Sequence, residues 1–419
     1  MNLAANPDSM RLNEEVILVK RKMLKTAMLF LMVVLVALPI ATIAFASEVE
    51  GEKAAYFTTD EQQILEEMNP AFTTIPEVLE LKKQGRLGEL IAAINEEYAS
   101  RYALEMRDYA EKLAGWGLEP EMTVAALADI AQSYLHENYD GIQIASVEFQ
   151  NLVKEMFQGD SYPLAKMAKE DAEFGALYLY MCIYYDENIN DETGKFVNNA
   201  AQPLANTTMK KTLNQVFESD FDRNFQETAT MEVLHEVTKN SLTKAGPANP
   251  LNGSSIQAYA QKWANSYNTN SYVTQDSDCT NFASQCLYAG GLAMEHNNAS
   301  DKTANGYVDT TARWFYFNNS STKKYSASTS WVRVVDLYTY LSSDYAVFET
   351  SDGATMSRYL NKGFLLQGKP VIGKYRHSVI VTKNSSGALC YCAHSEPRLD
   401  EAISTFYNGF DSYRVVQTY

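Results

Sequence analysis

Between residues 60 and 244, apolar positions recur three and four apart, with Glu, Leu, Ala, Met and Lys between them and few Gly or Pro. That spacing predicts helices over residues 75–83, 87–112, 122–137 and 146–157. Thr123 and Asp160 stand where a cap or turn residue belongs. The run 177–185 (LYLYMCIYY) is apolar at almost every position and fits a buried helix or a strand equally well. Residues 243–255 then concentrate Gly, Pro, Asn and Ser, which permits turns and disfavours helix. Beyond them the pattern becomes short elements rich in Tyr, Asn, Ser and Thr. An α+β domain suits that texture better than a helical bundle.

The pattern divides the chain into an N-terminal extension and leader (1–46), a mainly helical region (47–244), a linker (245–251) and an α+β domain (252–419). Charge supports the division. The chain carries a formal net charge of −17. Segment 47–251 holds 16 Lys/Arg against 36 Asp/Glu, whereas residues 252–419 hold 14 against 13. An acid excess of this size argues against nucleic acid as a partner. At the N-terminus, Lys20, Arg21, Lys22 and Lys25 precede an uncharged stretch that ends in Ala44-Phe45-Ala46. This is the pattern of a cleavable export signal, and it predicts a secreted, extracellular or wall-associated protein. Left uncut, the same stretch would be long enough to serve as a membrane anchor, the one membrane contact the chain suggests.

Five cysteines leave at least one unpaired in a monomer. Cys279 and Cys286 lie two helical turns apart, about 10.5 Å, which is too far for a disulfide. Cys390 and Cys392 would share one strand face, where direct pairing is strained. No serine-hydrolase elbow, phosphate loop, dinucleotide fingerprint or zinc-protease motif occurs. The remaining chemistry is that of Cys and His, which requires no cofactor.

In residues 276–291 (DSDCTNFASQCLYAGG), Asp278 suits an N-cap and Cys279 the first helical position. A thiol there feels the positive end of the helix dipole, and the backbone N–H groups beside it can hold an oxyanion. Its base should be a histidine. His136 and His235 sit in the helical region and His296 in a polar loop, whereas His377 opens the strand-like run 377–382. A second strand, 389–395, predicts an antiparallel pair that brings His394 towards His377 as a third, orienting group. Asp400 is the weaker candidate for that role. Trp263, Trp314 and Trp331 either line a groove or fill the core.

With these residues assembled, the C-terminal domain resembles an amidase family of secreted bacterial proteins, related to NlpC-type peptidases and more distantly to papain. The resemblance runs through residues 256–264, Asp278-Cys279-Thr280-Asn281-Phe282, Ser284-Gln285-Cys286-Leu287, Arg313-Trp314-Phe315-Tyr316, Ser330-Trp331 and residues 336–341 and 377–382. It implies a papain-like α+β domain, with the nucleophile on a helix against an antiparallel sheet. It implies Cys279 as nucleophile, His377 as base and His394, in Ala393-His394-Ser395, as third residue. Asp278 would stand near the substrate amine, and Trp314 and Trp331 are candidate substrate contacts. The implied substrate is a peptidoglycan stem peptide or another extracellular peptide. An acyltransferase, a peptidase acting on another protein and an inactive wall-binding module stay open. One departure is Gly368-Lys369, where the family commonly has Gly-Asp, so the charge at the site entrance is reversed. The acidic helical region lies outside the resemblance. As a pro-segment, spacer or partner-binding domain it has no assignment from sequence.

Overall fold

Helix formation in the first half follows the apolar spacing. The computed structural model describes residues 57–157, 159, 162–190, 195–196, 202–238, 250–275, 277–295, 306–319 and 324–419. The expected leader, most of the linker, Asp160, His296 and the side chain of His235 lie outside the described residues. Helices α1 (Thr59–Met68), α2 (Pro76–Lys83), α3 (Leu87–Gly115), α4 (Val124–Asn138), α5 (Val147–Phe157), α6 (Leu164–Glu170) and α7 (Ala172–Asn188) come first. Pro76 opens α2 at a position where its missing N–H costs nothing. Thr123 caps α4 by accepting the Ala126 N–H. The ambiguous run belongs to α7, which is buried on every side from Phe174 to Tyr184. A helix surrounded in this way carries no amphipathic period, which is why the sequence pattern left it undecided. Helices α8 (Leu213–Asn224) and α9 (Thr230–Thr238) are joined by the π-helical turn Phe225–Ala229.

The C-terminal half begins with α10 (Gly253–Trp263) and α11 (Cys279–Ala289). Gly290 ends α11 where a Cβ would fall 2.3 Å from Ile256 Cγ1, so the two helices approach more closely than a side chain permits. A small three-stranded sheet follows, made of β1 (Gly306–Val308), β2 (Tyr316–Asn319) and β3 (Lys324–Ser328). Helix α12 (Val334–Ser342) leads into the main sheet. Its strands are β4 (Ala346–Thr350), β5 (Leu365–Lys369), β6 (His377–Lys383), β7 (Leu389–Ala393), β8 (Arg398–Ala402) and β9 (Ser412–Gln417), with helix α13 (Ile403–Gly409) before the last. They pair in the order β8-β7-β6-β5-β9-β4, antiparallel throughout.

The sheet has a core on each face. Leu365, Ile380, Cys392 and Val416 join Phe282 and Cys286 of α11 on one side. Leu366, Val379, Val381, Tyr391 and Val415 join Phe406 of α13 on the other. Strand alternation divides neighbouring residues between these cores, and each fully buried large apolar side chain contributes about 1.5–3 kcal/mol. The result is a mixed α+β protein with a helical first part and an antiparallel sheet after it, as the sequence predicts. All five cysteines are free and buried. Residues 63–419 form one compact unit. No helix among the described residues is long and apolar enough to cross a membrane.

Candidate active site

Cys279 is the first residue of α11, and the carbonyl of Asp278 before it accepts the Phe282 N–H at 2.8 Å to close the first turn. The helix crosses behind β6, whose first residue is His377. The His377 ring lies against the Cys279 thiol. Both are enclosed, with Cys279 5% and His377 1% exposed. Burial by itself would push the thiol up. The hydrogen bond and charge of His377 oppose it, together with the Ser378 backbone N–H and the Thr280 hydroxyl, and the thiol ends below its ordinary value. Thr280 Oγ1 lies 3.7 Å from Sγ and donates to Ser378 Oγ at 3.2 Å. Gln367 Nε2 donates to the same serine at 3.0 Å. A short polar chain thus ties the start of α11 to β5 and β6.

His394 is placed elsewhere. Its Nδ1 lies 2.6 Å from Asp278 Oδ2, and its Nε2 lies 2.8 Å from the Trp263 carbonyl oxygen. Phe282 stacks on the ring at 3.9 Å. Strand alternation accounts for this placement. His394 follows the face of Cys392 and Cys390, towards α11, whereas His377 shares the opposite parity with Val379 and Val381. Asp400 is also engaged away from His377, with Thr382 at 2.7 Å and Gln261 at 2.8 Å. His377 is flanked by the rings of Phe406 and Phe410, and its Nε2 is buried with no hydrogen-bond partner among the described residues. The candidate residues therefore form two pairs, Cys279 with His377 and Asp278 with His394.

Asp278 occupies the N-cap position without capping through its side chain. Its Oδ1 accepts from Asn281 Nδ2 at 2.8 Å and from the Gln275 N–H at 3.0 Å. Its own N–H donates to Ser395 Oγ at 3.0 Å, with Ser395 in the left-handed region at φ 73°. His394 and Ser395 together clamp the residue that precedes Cys279. Trp314 and Trp331 are fully buried, and their indole N–H groups donate to Ser284 at 3.2 Å and Asn281 at 2.8 Å. In this arrangement they support α11 from the core.

A cavity of about 980 Å³ opens at Ser277, Cys279 and Thr280. Its other walls include Phe157, Tyr185 and Arg223 from the helical region and Gln226 and Glu227 from the π turn. Arg376, the residue before His377 in the chain, also lines it. The sequence reading passed over these helical residues, because nothing in their local pattern distinguishes a cavity wall from an ordinary helix face. Arg376 carried one usable signal, a charge adjoining the candidate base.

Residues 251–416 match the family described as "Putative amidase domain". The amidase match contains Asp278, Cys279, His377 and His394, and α1–α9 fall outside it. It spans less than half of the chain and points to hydrolysis of an amide as the class of reaction. No curated protein and no solved structure matches the chain.

Proposed function

We propose that this protein is an exported cysteine amidase that hydrolyses an amide in cell-wall peptidoglycan peptides. The observation that carries the reading is the Cys279–His377 contact at the start of α11, where the thiol is lowered in spite of its burial. Export rests on the leader pattern of residues 20–46, and the choice of wall peptides on the resemblance to NlpC-type enzymes with a papain-like domain.

In the proposed reaction His377 accepts the Cys279 proton, leaving a thiolate and an imidazolium. The thiolate attacks the amide carbonyl and forms an S–C bond. The carbonyl electrons move onto oxygen, which the N–H groups of the first turn of α11 stabilise. As the C–N bond breaks, His377 returns the proton to the leaving amine. Water then attacks the thioester with His377 as base, and the acid product and the thiol are released. Asp278 and His394 hold the start of the helix so that the thiol meets the ring. In this reading they are positioning residues.

Release of new amino groups from purified peptidoglycan, with the Cys279→Ala variant alongside, tests the reading. The wild-type chain is expected to release amines and the variant none. Absence of release together with a Cys279 that alkylates no faster than an ordinary thiol would favour an inactive wall-binding module.

A further inference from the structure

Four basic side chains line the cavity that opens at Cys279. Three of them face carboxylates. Arg223 pairs with Asp186 at 2.6 Å and Asp220 at 2.5 Å, Lys374 with Glu227 at 3.1 Å, and Arg333 with Asp336 at 3.5 Å. Arg376 differs: among the described residues no carboxylate lies within ion-pair distance of its guanidinium. One terminal nitrogen donates to the Phe157 carbonyl, and Nε is buried without a partner. The guanidinium carbon lies among aromatic rings, 4.4 Å from the centroid of Phe157, 5.1 Å from Phe410 and 5.9 Å from Tyr185. Phe410 is also the ring that stacks on His377 at 6.0 Å, so the cation and the base share one support.

A cation fixed in this way, with unused donors, is prepared for an anion that arrives from outside. Its planar fork matches a carboxylate in two-point contact. The acidic groups of the cavity are mostly engaged with the other three bases or, as Glu295 is, with Tyr340 at 3.1 Å. Among the described basic side chains of the lining, Arg376 is therefore the one whose charge no carboxylate of the cavity offsets. We infer that Arg376 anchors a carboxylate carried by the substrate within a few bonds of its scissile amide. The inference deepens the amidase reading and rests on it. It also gives the helical region a part in the site, since Phe157 and Tyr185 hold the guanidinium in place.

The test compares two alkylating reagents on the purified chain, neutral iodoacetamide and anionic iodoacetate, in the wild type and in Arg376→Gln and Arg376→Lys. In both reactions the Cys279 thiolate forms an S–C bond and iodide leaves. The charge of His377 favours the anion in every variant alike, so the ratio of the two rates isolates Arg376 and does not depend on the folded fraction. The iodoacetate-to-iodoacetamide ratio is expected to fall about tenfold in R376Q, the size of one charge-assisted hydrogen bond, and to be partly retained in R376K. An unchanged ratio in R376Q at a reactive Cys279 overturns the inference alone. A Cys279 unreactive to both reagents overturns the amidase reading and this inference with it.

Discussion

Cys279 is a buried thiol whose neighbours favour the thiolate, and most of that effect comes from one side chain, His377. Because the thiol is lowered, thiolate is present below the pH at which an ordinary cysteine ionises, and alkylation should stay fast as pH falls. Replacing His377 with Ala leaves burial as the leading influence, so the rising limb of rate against pH moves up. Iodoacetamide rates between about pH 5 and pH 9.5 measure this, and an unmoved limb would separate His377 from the thiol. Turnover in His377→Ala should drop about 10²- to 10⁴-fold, the usual worth of a general base. At this scale the sequence named the residues and paired Cys279 with His377, but not the partner of His394. Cys279 and His377 were legible from a helix start and a strand start. The pairing of His394 with Asp278 was not, because it depends on which sheet face each residue takes once the strands are in register.

The start of α11 is an element-level device. Asp278, Asn281, Trp331, His394 and Ser395 form a buried hydrogen-bonded set that joins the loop before the helix to the end of β7. Removing one partner of a buried hydrogen bond leaves the other polar group unsatisfied, at a cost of about 1–3 kcal/mol. His394→Ala should therefore lower the unfolding free energy from urea titration by that amount and also slow Cys279 alkylation, since the helix start loses its clamp. Loss of stability with unaltered alkylation would reduce His394 to a purely structural role. Helices α2 to α5 were readable one by one because one face of each is apolar. Elsewhere in the first half the local pattern was weaker: α7 is buried all round, and the π turn after α8 carries no local signature that separates it from a regular helix.

Across the whole unit, the acidic helical region spends part of its charge on the sheet that follows it. Glu105 pairs with Lys369 at 3.5 Å, Asp220 accepts the Gly373 N–H at 3.1 Å, and Asp411 holds Lys112 at 2.9 Å and Tyr178 at 2.7 Å. Arg414 lies fully buried between the rings of Tyr338 and Tyr375, 3.6 and 3.9 Å away, while Tyr338 donates to Glu232 of α9. Groups so enclosed would be left unpaired if either part opened alone, which predicts joint unfolding. Urea curves followed by far-UV circular dichroism, dominated by the helices, and by tryptophan fluorescence, with three of the four tryptophans after residue 250, should coincide. Two separated transitions would show that the parts are independently stable. By itself the sequence determined the helical and α+β halves, the helix that Cys279 opens and the strand that His377 opens, because those follow from local periodicity and capping chemistry. Tertiary structure alone decided the partner of His394, the burial of Trp314 and Trp331 and the cavity wall contributed by the helices. Those depend on strand register and on contacts such as Lys369 with Glu105, 264 residues apart, which no local pattern encodes.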